Sequence, residues 1–252
     1  MNQIINQLQN RKSVRVFTGE SVKDSDLLEI IKSAQQAPTS VNGEQISLVV
    51  TRDKETIKKI ADICGGQPQV ESADIFITIV VDFSRATYAM SKHNVKNVIP
   101  GSAEGILVGA VDAGIMLNAL QIASESLGYG TTAIGGIRNN PEEMIKILGL
   151  PKETYPIVGT TIGVEDKSKC SRVKPRVPVE SFAHYEKYDE LAVKKGVDEY
   201  EITLKKWWDE IGLHDMGTYS QDVSKYYRTI YFPRIAKTLR EQGFDFKDEI
   251  VR

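Results

Sequence analysis

Two clusters of basic side chains are the residues best suited to chemistry in this 252-residue chain. The first is Arg11-Lys12-Ser13-Val14-Arg15, and the second is Lys174-Pro175-Arg176. In an extended segment alternate side chains share a face, so Arg11, Ser13 and Arg15 would point the same way. Guanidinium and hydroxyl groups are donors suited to phosphate oxygens. A fold that joins the clusters would bind a phosphate group, whereas each alone is also compatible with a solvated surface.

Glycine-rich and polar segments between the two basic clusters are predicted to bind a flat ring attached to that phosphate. They are Gly65-Gly66-Gln67-Pro68-Gln69, Ile134-Gly135-Gly136-Ile137-Arg138 and the loop at residues 38–45. Glycine lets a planar ligand approach the backbone closely, and amide and hydroxyl groups can bond the edge of a heterocycle. Each segment taken alone is equally compatible with an ordinary turn.

The segment Gly128-Tyr129-Gly130-Thr131-Thr132-Ala133 formally matches a dinucleotide-binding fingerprint. That fingerprint requires a strand before it and a helix after it, whereas a predicted helix precedes this segment and a predicted strand follows. We therefore interpret Gly128 as the residue that ends a helix. No serine lies in a nucleophile-elbow motif, and no paired acidic motif is present, which favours chemistry carried by a bound cofactor.

The amino-acid composition argues against several classes of function and location. The net charge is −2, so bulk electrostatics do not suggest nucleic acid binding. Cys64 and Cys170 do not form a disulfide framework, and the first ten residues are polar, so we expect a reducing, cytoplasmic location. His93, His184 and His214 are scattered, so we expect no metal site.

Apolar periodicity predicts alternating helices and strands, which indicates an α/β or α+β fold with one main sheet. Asp24 and Ser25 are candidate caps for the helix that follows them. Predicted strands are 46–51, 73–82, 129–134 and 155–164, and predicted helices after the first are 54–63, 103–127, 141–148, 189–211 and 222–241.

The longest apolar stretch, residues 105–123, is long enough to span a membrane. It contains Asp112, Asn118 and Gln121 together with recurring small residues. This pattern favours a helix buried on most sides over a membrane span.

Composition changes beyond Pro178, where strand signals end and aromatic and charged residues dominate. We predict a core at residues 1–178 and a helical extension at 179–252. The apolar face of that extension should bury against the rest of the chain or a second subunit; its residues are Tyr200, Leu204, Trp207 and Trp208.

Several motifs in order along the chain resemble the nitroreductase family, in particular its NAD(P)H-dependent flavin reductase and oxygen-insensitive nitroreductase branch. The resemblance implies an α+β fold with a four- or five-stranded, mainly antiparallel sheet flanked by helices. It also implies a homodimer with FMN at its interface and a C-terminal extension that embraces the other subunit. The motifs are residues 11–15 with Phe17-Thr18, Gly65-Gly66-Gln67, Glu125-Ser126-Leu127-Gly128, residues 134–140 and Lys174-Pro175-Arg176.

The resemblance also implies roles for individual residues. The phosphate and the polar edge of the ring would be held by Arg11, Lys12, Ser13, Arg15, Lys174 and Arg176, with Val14 and Pro175 in the same segments. Gln67 and Gln69 would contact the ribityl chain or the ring of the flavin. Backbone N–H groups would be offered to the flavin by Ala133, Ile134, Gly135 and Gly136. The loop of the partner subunit would supply Thr39 and Ser40.

This chain departs from the family pattern at a few positions. Arg11 stands where histidine is frequent, Lys12 where arginine is, and Gln69 where an aromatic residue or histidine is common. Some relatives bind the 2′-phosphate of NADPH through an arginine-rich loop, and here Lys205 and Lys206 are the candidates. The choice between NADPH and NADH therefore stays open.

The expected activity is an FMN-dependent, ping-pong transfer of hydride from NAD(P)H to nitroaromatics, quinones or free flavin, which are small planar acceptors. Lys174 and Arg176 would stabilise the negative charge of reduced flavin. A flavin-binding protein for storage or sensing is the alternative, and a Rossmann dehydrogenase without flavin is a third interpretation.

Overall fold

Helices surround a small sheet in the computed structural model, which describes residues 2–169 and 172–248 and so leaves Cys170 outside. The strands are β1 (Ile46–Thr51), β2 (Ile75–Asp82), β3 (Tyr129–Ile134) and β4 (Thr154–Val164). The helices are α1 (Gln3–Gln9), α2 (Asp24–Gln35), α3 (Lys54–Ile63), α4 (Pro68–Glu71), α5 (Ser84–Ser91), α6 (Ala103–Ser126), α7 (Pro141–Ile147), α8 (Glu190–Glu210), α9 (Tyr219–Tyr227) and α10 (Ile235–Gln242).

The sheet has the order β1-β2-β4-β3, and every neighbouring pair is antiparallel. The apolar run of β2 lies in its interior, with Ile75 opposite Ile162 of β4 and Ile46 of β1 opposite Val81. A strand covered on both faces carries such a run. The antiparallel pairing confirms the α+β class that the family resemblance implied. The alternation of predicted helices and strands alone had left the choice between α/β and α+β open.

Two sequence predictions for helices are wrong in detail. The candidate caps Asp24 and Ser25 lie inside α2, whose N-cap is Lys23. The helix predicted at 222–241 is two helices, α9 and α10, on either side of Pro233. Proline lacks the N–H that a helix interior needs and disfavours helical backbone in the residue before it.

Three short helices were not predicted from the sequence, namely α1, α4 and α5. Among them these three helices bury one residue, Val70 of α4. Their sequences therefore carry little of the apolar periodicity that predicts a helix. The interpretation of Gly128 is confirmed, because it follows the end of α6 in left-handed backbone with φ of 86°.

The main core lies between the sheet and α6, with further residues from the C-terminal part of the chain. At Gly109 of α6 a Cβ atom would lie 2.6 Å from Cγ1 of Val81, so glycine permits close packing on β2. Phe244 is fully buried, with its ring centroid 6.1 Å from that of Phe83 and 6.4 Å from that of Tyr155. Residues beyond α9 therefore complete the core around the sheet.

The opposite face of α6 is exposed in the single chain, which corrects the prediction of a helix buried on most sides. Leu107, Val111 and Ile115 are 61%, 59% and 37% exposed, and their spacing of four places them on one face. By length and composition alone α6 could cross a membrane, but its other face carries the buried residues that pack on the sheet.

The chain divides into two compact units. The first consists of Met1–Ser171 and Phe232–Arg252 and contains the sheet, and the second is Arg172–Tyr231 with α8 and α9. The division predicted after residue 178 stays a prediction.

Candidate flavin site

The first basic cluster is an extended segment fixed to the edge of the sheet. The Val14 N–H donates to the carbonyl oxygen of Thr131 at 2.8 Å, and the Thr132 hydroxyl donates to the Val14 carbonyl oxygen. Further along, the Thr18 N–H donates to the Val164 carbonyl oxygen at 2.9 Å. Val14 is 5% exposed, whereas Arg15 is exposed. The burial of Val14 therefore directs its neighbours Ser13 and Arg15 to the other side.

Two glycines of the sheet make room for this segment. A Cβ atom at Gly130 of β3 would lie 2.6 Å from Cγ1 of Val14. A Cβ atom at Gly163 of β4 would lie 2.8 Å from Cδ1 of Phe17. Real Cβ atoms do not come so close, so any larger residue at either position would displace the segment.

Two carboxylates compensate the charge of the basic segment. Lys12 Nζ lies 2.7 Å from Oε1 of Glu165, and both side chains are largely buried. Glu125 accepts a hydrogen bond from the Thr131 hydroxyl at 3.0 Å. Burial raises the pKa of the Glu125 carboxyl and nearby Glu165 adds to the rise, while the Thr131 hydrogen bond and Arg11 oppose it. Lys12 is thus held by Glu165 before any ligand binds.

The segment Ala133–Gly136 continues directly from the strand residues that hold Val14, so the structure brings these two predicted parts together. Ala133 is the exposed residue of β3, and Ile134 beside it is buried. Gly135 follows, and a Cβ atom there would lie 3.1 Å from an Arg138 guanidinium nitrogen. Ala133 is therefore the exposed position of this segment, while Gly135 is half-buried and Gly136 is buried.

Gln67 and Gln69 lie against the same turn. The Gln69 side-chain amide donates to Oε1 of Gln67 at 2.8 Å. A Cβ atom at Gly136 would lie 3.1 Å from Nε2 of Gln67 and 3.1 Å from Cβ of Cys64. Gln69 therefore fixes the amide of Gln67, a contact that the sequence alone did not indicate.

Thr39 and Ser40 lie in the loop before β1 and are held by a separate set of contacts. The Ser40 N–H donates to Oδ2 of Asp112 in α6 at 3.2 Å. The Thr39 hydroxyl accepts from the Glu44 N–H at 3.2 Å. Neither residue's role in binding is tested by these contacts.

Lys174, Pro175 and Arg176 belong to the second unit, where α8 contacts the first two and the Arg176 guanidinium donates to the carbonyl oxygens of Lys174 and Pro175. Lys174 Nζ lies 4.5 Å from the centroid of the Trp208 ring, a cation–π geometry. The Tyr200 hydroxyl donates to the Pro175 carbonyl oxygen at 3.1 Å. The apolar face predicted for α8 thus packs in part on the second basic cluster.

Lys205 and Lys206 have ion-pair partners on α8 itself. Lys205 Nζ lies 2.5 Å from Oδ1 of Asp209 and donates to the His214 carbonyl oxygen at 3.0 Å. The Lys205 hydrogen bond holds the pKa of the Asp209 carboxyl below its usual value. Lys206 Nζ lies 4.0 Å from Glu210 and its side chain is 77% exposed. Lys206 is therefore the more accessible of the two candidate phosphate ligands.

Comparison with known proteins identifies the family. The sequence profile described as "Nitroreductase family" matches residues 8–164, and that of its C-terminal domain matches residues 174–247. The chain belongs to the nitroreductase family. This confirms the resemblance inferred from the motifs, and members of the family are typically dimeric and act on small substrates.

Similar nitroreductase-family proteins align over nearly the whole chain. A Bacillus subtilis (strain 168) protein named FMN reductase [NAD(P)H] is 39% identical over 97% of this chain and 98% of its own length. The structure of B. megaterium NfrA2 has a TM-score of 0.94 at 37% identity, covering 98% of this chain and all of that one. The NADPH:FMN oxidoreductase from Vibrio harveyi complexed with NAD+ has a TM-score of 0.86 at 29% identity, with 98% and 100% coverage.

Cys64 is predicted to be chemically inert although it lies beside Gln67 and Gly136. It is 3% exposed, and burial raises the pKa of its thiol to about 12. Because the folded-state pKa is raised, the thiol stays neutral until the pH approaches that value, and thiolate is the reactive form.

In a Cys170→Ser variant, where Cys64 is the remaining thiol, the native protein should not react with a thiol reagent at about pH 8, near the ordinary thiol pKa. The same protein unfolded in guanidinium should react fully. Rapid stoichiometric labelling of the native variant would contradict this assignment.

Proposed function

We propose that this nitroreductase-family protein is an FMN-dependent oxidoreductase that uses NAD(P)H to reduce small planar acceptors such as nitroaromatics, quinones or free flavin. The observation that carries the proposal is that an anchored basic segment is bonded to the strand that leads directly into a glycine turn. The relatives named as FMN reductase and NADPH:FMN oxidoreductase support it. Bound FMN would supply the ability to accept a hydride and pass electrons on.

The donor groups present suit the charge of FMN. Ser13 and Arg15 provide donors suited to a phosphate, on a backbone fixed by the hydrogen bonds of Val14 to β3. The turn at Gly135 and Gly136 packs closely on Arg138 and Gln67, and exposed Ala133 lies just before it. A phosphate group and a flat ring attached to it would therefore find matching surfaces side by side.

Each part of the chain would have a distinct task. Arg11, Lys12, Ser13 and Arg15 would bind the phosphate, and Lys174 and Arg176 would add positive charge near the polar edge of the ring. Backbone N–H groups of residues 133–136 would orient the ring, and Gln67 and Gln69 would contact the ribityl chain or ring. Because a single cofactor would accept and then donate electrons, ping-pong kinetics are expected.

A homodimer is part of this proposal. Leu107, Val111 and Ile115 form an exposed apolar stripe on α6. Further along α6, the Gln7 amide of α1 donates to the Ile122 carbonyl oxygen at 2.8 Å, and the apolar residues Ile4, Ile5 and Leu8 of α1 are also exposed. Exposed apolar surface of this kind is typical of an interface, and a second copy would cover it. We place the protein in the cytoplasm, where NAD(P)H and free thiols are maintained.

The direct test of the activity is spectroscopic. Purified protein should be yellow or become so when FMN is added, and NADH or NADPH should bleach it under argon. A quinone or nitroaromatic added next should restore the colour. Yellow protein that neither donor bleaches would favour the non-catalytic alternative, and protein that never takes up FMN would contradict both.

Replacing Arg15 tests the phosphate contact. Arg15→Ala should weaken FMN binding about 10- to 100-fold, because a charge-assisted hydrogen bond contributes about 1.5–3 kcal/mol. Flavin fluorescence titration of the apo-protein measures this change. Arg240→Ala, which removes an exposed guanidinium on α10, is the control and should bind FMN as the wild type does. Equal affinities in the two variants would exclude Arg15 from the site.

Charge placed on α6 tests the dimer. Val111→Glu should convert a dimer to a monomer in sedimentation velocity, because an ionised carboxylate would be buried at the interface without a partner. Tyr88→Glu changes a side chain that is 68% exposed on α5 and should leave the dimer intact. A wild-type protein that sediments as a monomer would refute the homodimer.

A further inference from the structure

The loop at residues 39–44 has a strained backbone. Val41, Asn42 and Glu44 have φ values of 49°, 55° and 52°. Left-handed backbone is uncommon outside glycine and is most unfavourable for a β-branched residue such as valine. Val41 is also 95% exposed, so packing of its own side chain does not hold it in this conformation.

A buried carboxylate holds one end of the loop. Asp112 of α6 is 4% exposed, and its Oδ2 accepts the Gln45 side-chain amide at 2.6 Å and the Ser40 N–H at 3.2 Å. Gln45 is itself 3% exposed. These two donors satisfy a carboxylate that is buried within a largely apolar helix, as buried carboxylates require.

The other end of the loop is fastened as well. The Glu44 N–H donates to the Thr39 hydroxyl at 3.2 Å, and an Arg85 guanidinium nitrogen donates to the Glu44 carbonyl oxygen at 3.0 Å. Between them, the Gly43 N–H donates to the Ser40 carbonyl oxygen at 2.9 Å. These contacts hold the loop in one conformation, and none of them involves the side chain of the exposed residue Val41.

Burying a carboxylate at this place costs desolvation free energy, and the stability of the protein alone would not require one to hold the loop. A buried charged group can often be replaced by an apolar residue without loss of stability. Strained backbone persists where the surroundings over-determine it, and such residues cluster at functional sites. The loop contains Thr39 and Ser40, and the family resemblance implies that these residues would contact the flavin held by a second copy of the chain.

We propose that Asp112 is a positioning residue of the flavin site, acting through Gln45 and the Ser40 N–H to set the loop at residues 39–44 for contact with FMN. This inference rests on the proposed function. Asp112 touches the loop and not the ligand, so its loss should weaken FMN binding without removing a ligand contact.

Gly43 offers an independent way to disturb the same contact. Its backbone φ is −78°, which any residue adopts. A Cβ atom there would collide with Oε1 of Gln45 and lie 3.2 Å from the Ser40 carbonyl oxygen. Gly43→Ala would therefore push the Gln45 amide away from Asp112 while leaving the carboxylate in place.

The experiment measures FMN affinity by flavin fluorescence titration of apo-protein, together with the thermal unfolding temperature of the same apo-protein. Asp112→Leu and Gly43→Ala should each weaken FMN binding about tenfold or more, the loss expected for a buried hydrogen bond to a charged group. Asp112→Asn should restore binding to within about threefold, because an amide oxygen can accept both hydrogen bonds.

Asp74→Leu is the matched control. Asp74 is another largely buried carboxylate, and it accepts a backbone N–H from Val22 at 2.9 Å. Its loss should lower the unfolding temperature and leave FMN affinity unchanged. If Asp112→Leu does not fold, Gly43→Ala and Asp112→Asn decide the question by the same titration.

Wild-type FMN affinity in both Asp112→Leu and Gly43→Ala would overturn this inference alone. An equal loss of affinity in Asp74→Leu would also overturn it, because general destabilisation would then explain the effect. Wild-type protein that binds no FMN would overturn the proposed function and this inference with it. Weak binding confined to Asp112→Leu and Gly43→Ala, with recovery in Asp112→Asn, would support it.

Discussion

The pairing of an extended basic segment with the edge strand β3 is the interaction on which the candidate site depends. Val14 exchanges hydrogen bonds with Thr131 and Thr132 and buries its side chain over Gly130. Without this pairing, the basic side chains would belong to a solvated terminus and lose considerable conformational entropy on binding a ligand. With it, the backbone is ordered in advance and lies next to the glycine turn. Preorganisation of this kind favours tight and specific binding of a charged cofactor.

Charge compensation explains how such a site exists in a chain whose net charge is −2. Lys12 pairs with Glu165, and Glu125 lies near Arg11. Negative charge beside the segment limits repulsion among its closely spaced cations, and the ion pair with Glu165 orients the Lys12 side chain. A bulk property such as net charge therefore says little about the local field at the site. The same principle applies at Asp112, where one carboxylate within an apolar helix holds the backbone of a loop.

Much of the fold and the family could be predicted from the sequence, since the strands at 46–51 and 129–134 and the helix at 54–63 have the predicted bounds. The direction of the strands could not be predicted from the pattern of elements, because alternating helices and strands fit both parallel and antiparallel sheets. Only the family resemblance indicated an antiparallel sheet. The exposed face of α6 was missed because apolar composition alone does not distinguish a buried face of a helix from an exposed one. Asp112 and Glu165 were not predicted as site residues, because their partners Ser40 and Lys12 are distant from them in sequence.

The central claim is that the anchored basic segment binds the phosphate of a flavin nucleotide. Fluorescence titration of the apo-protein with FMN and, separately, with riboflavin tests it most directly, since the two ligands differ by that phosphate. The account predicts saturation by FMN at one molecule per chain and binding of riboflavin that is weaker by about tenfold or more, as expected when charge-assisted hydrogen bonds are lost. Equal affinities for FMN and riboflavin would contradict it.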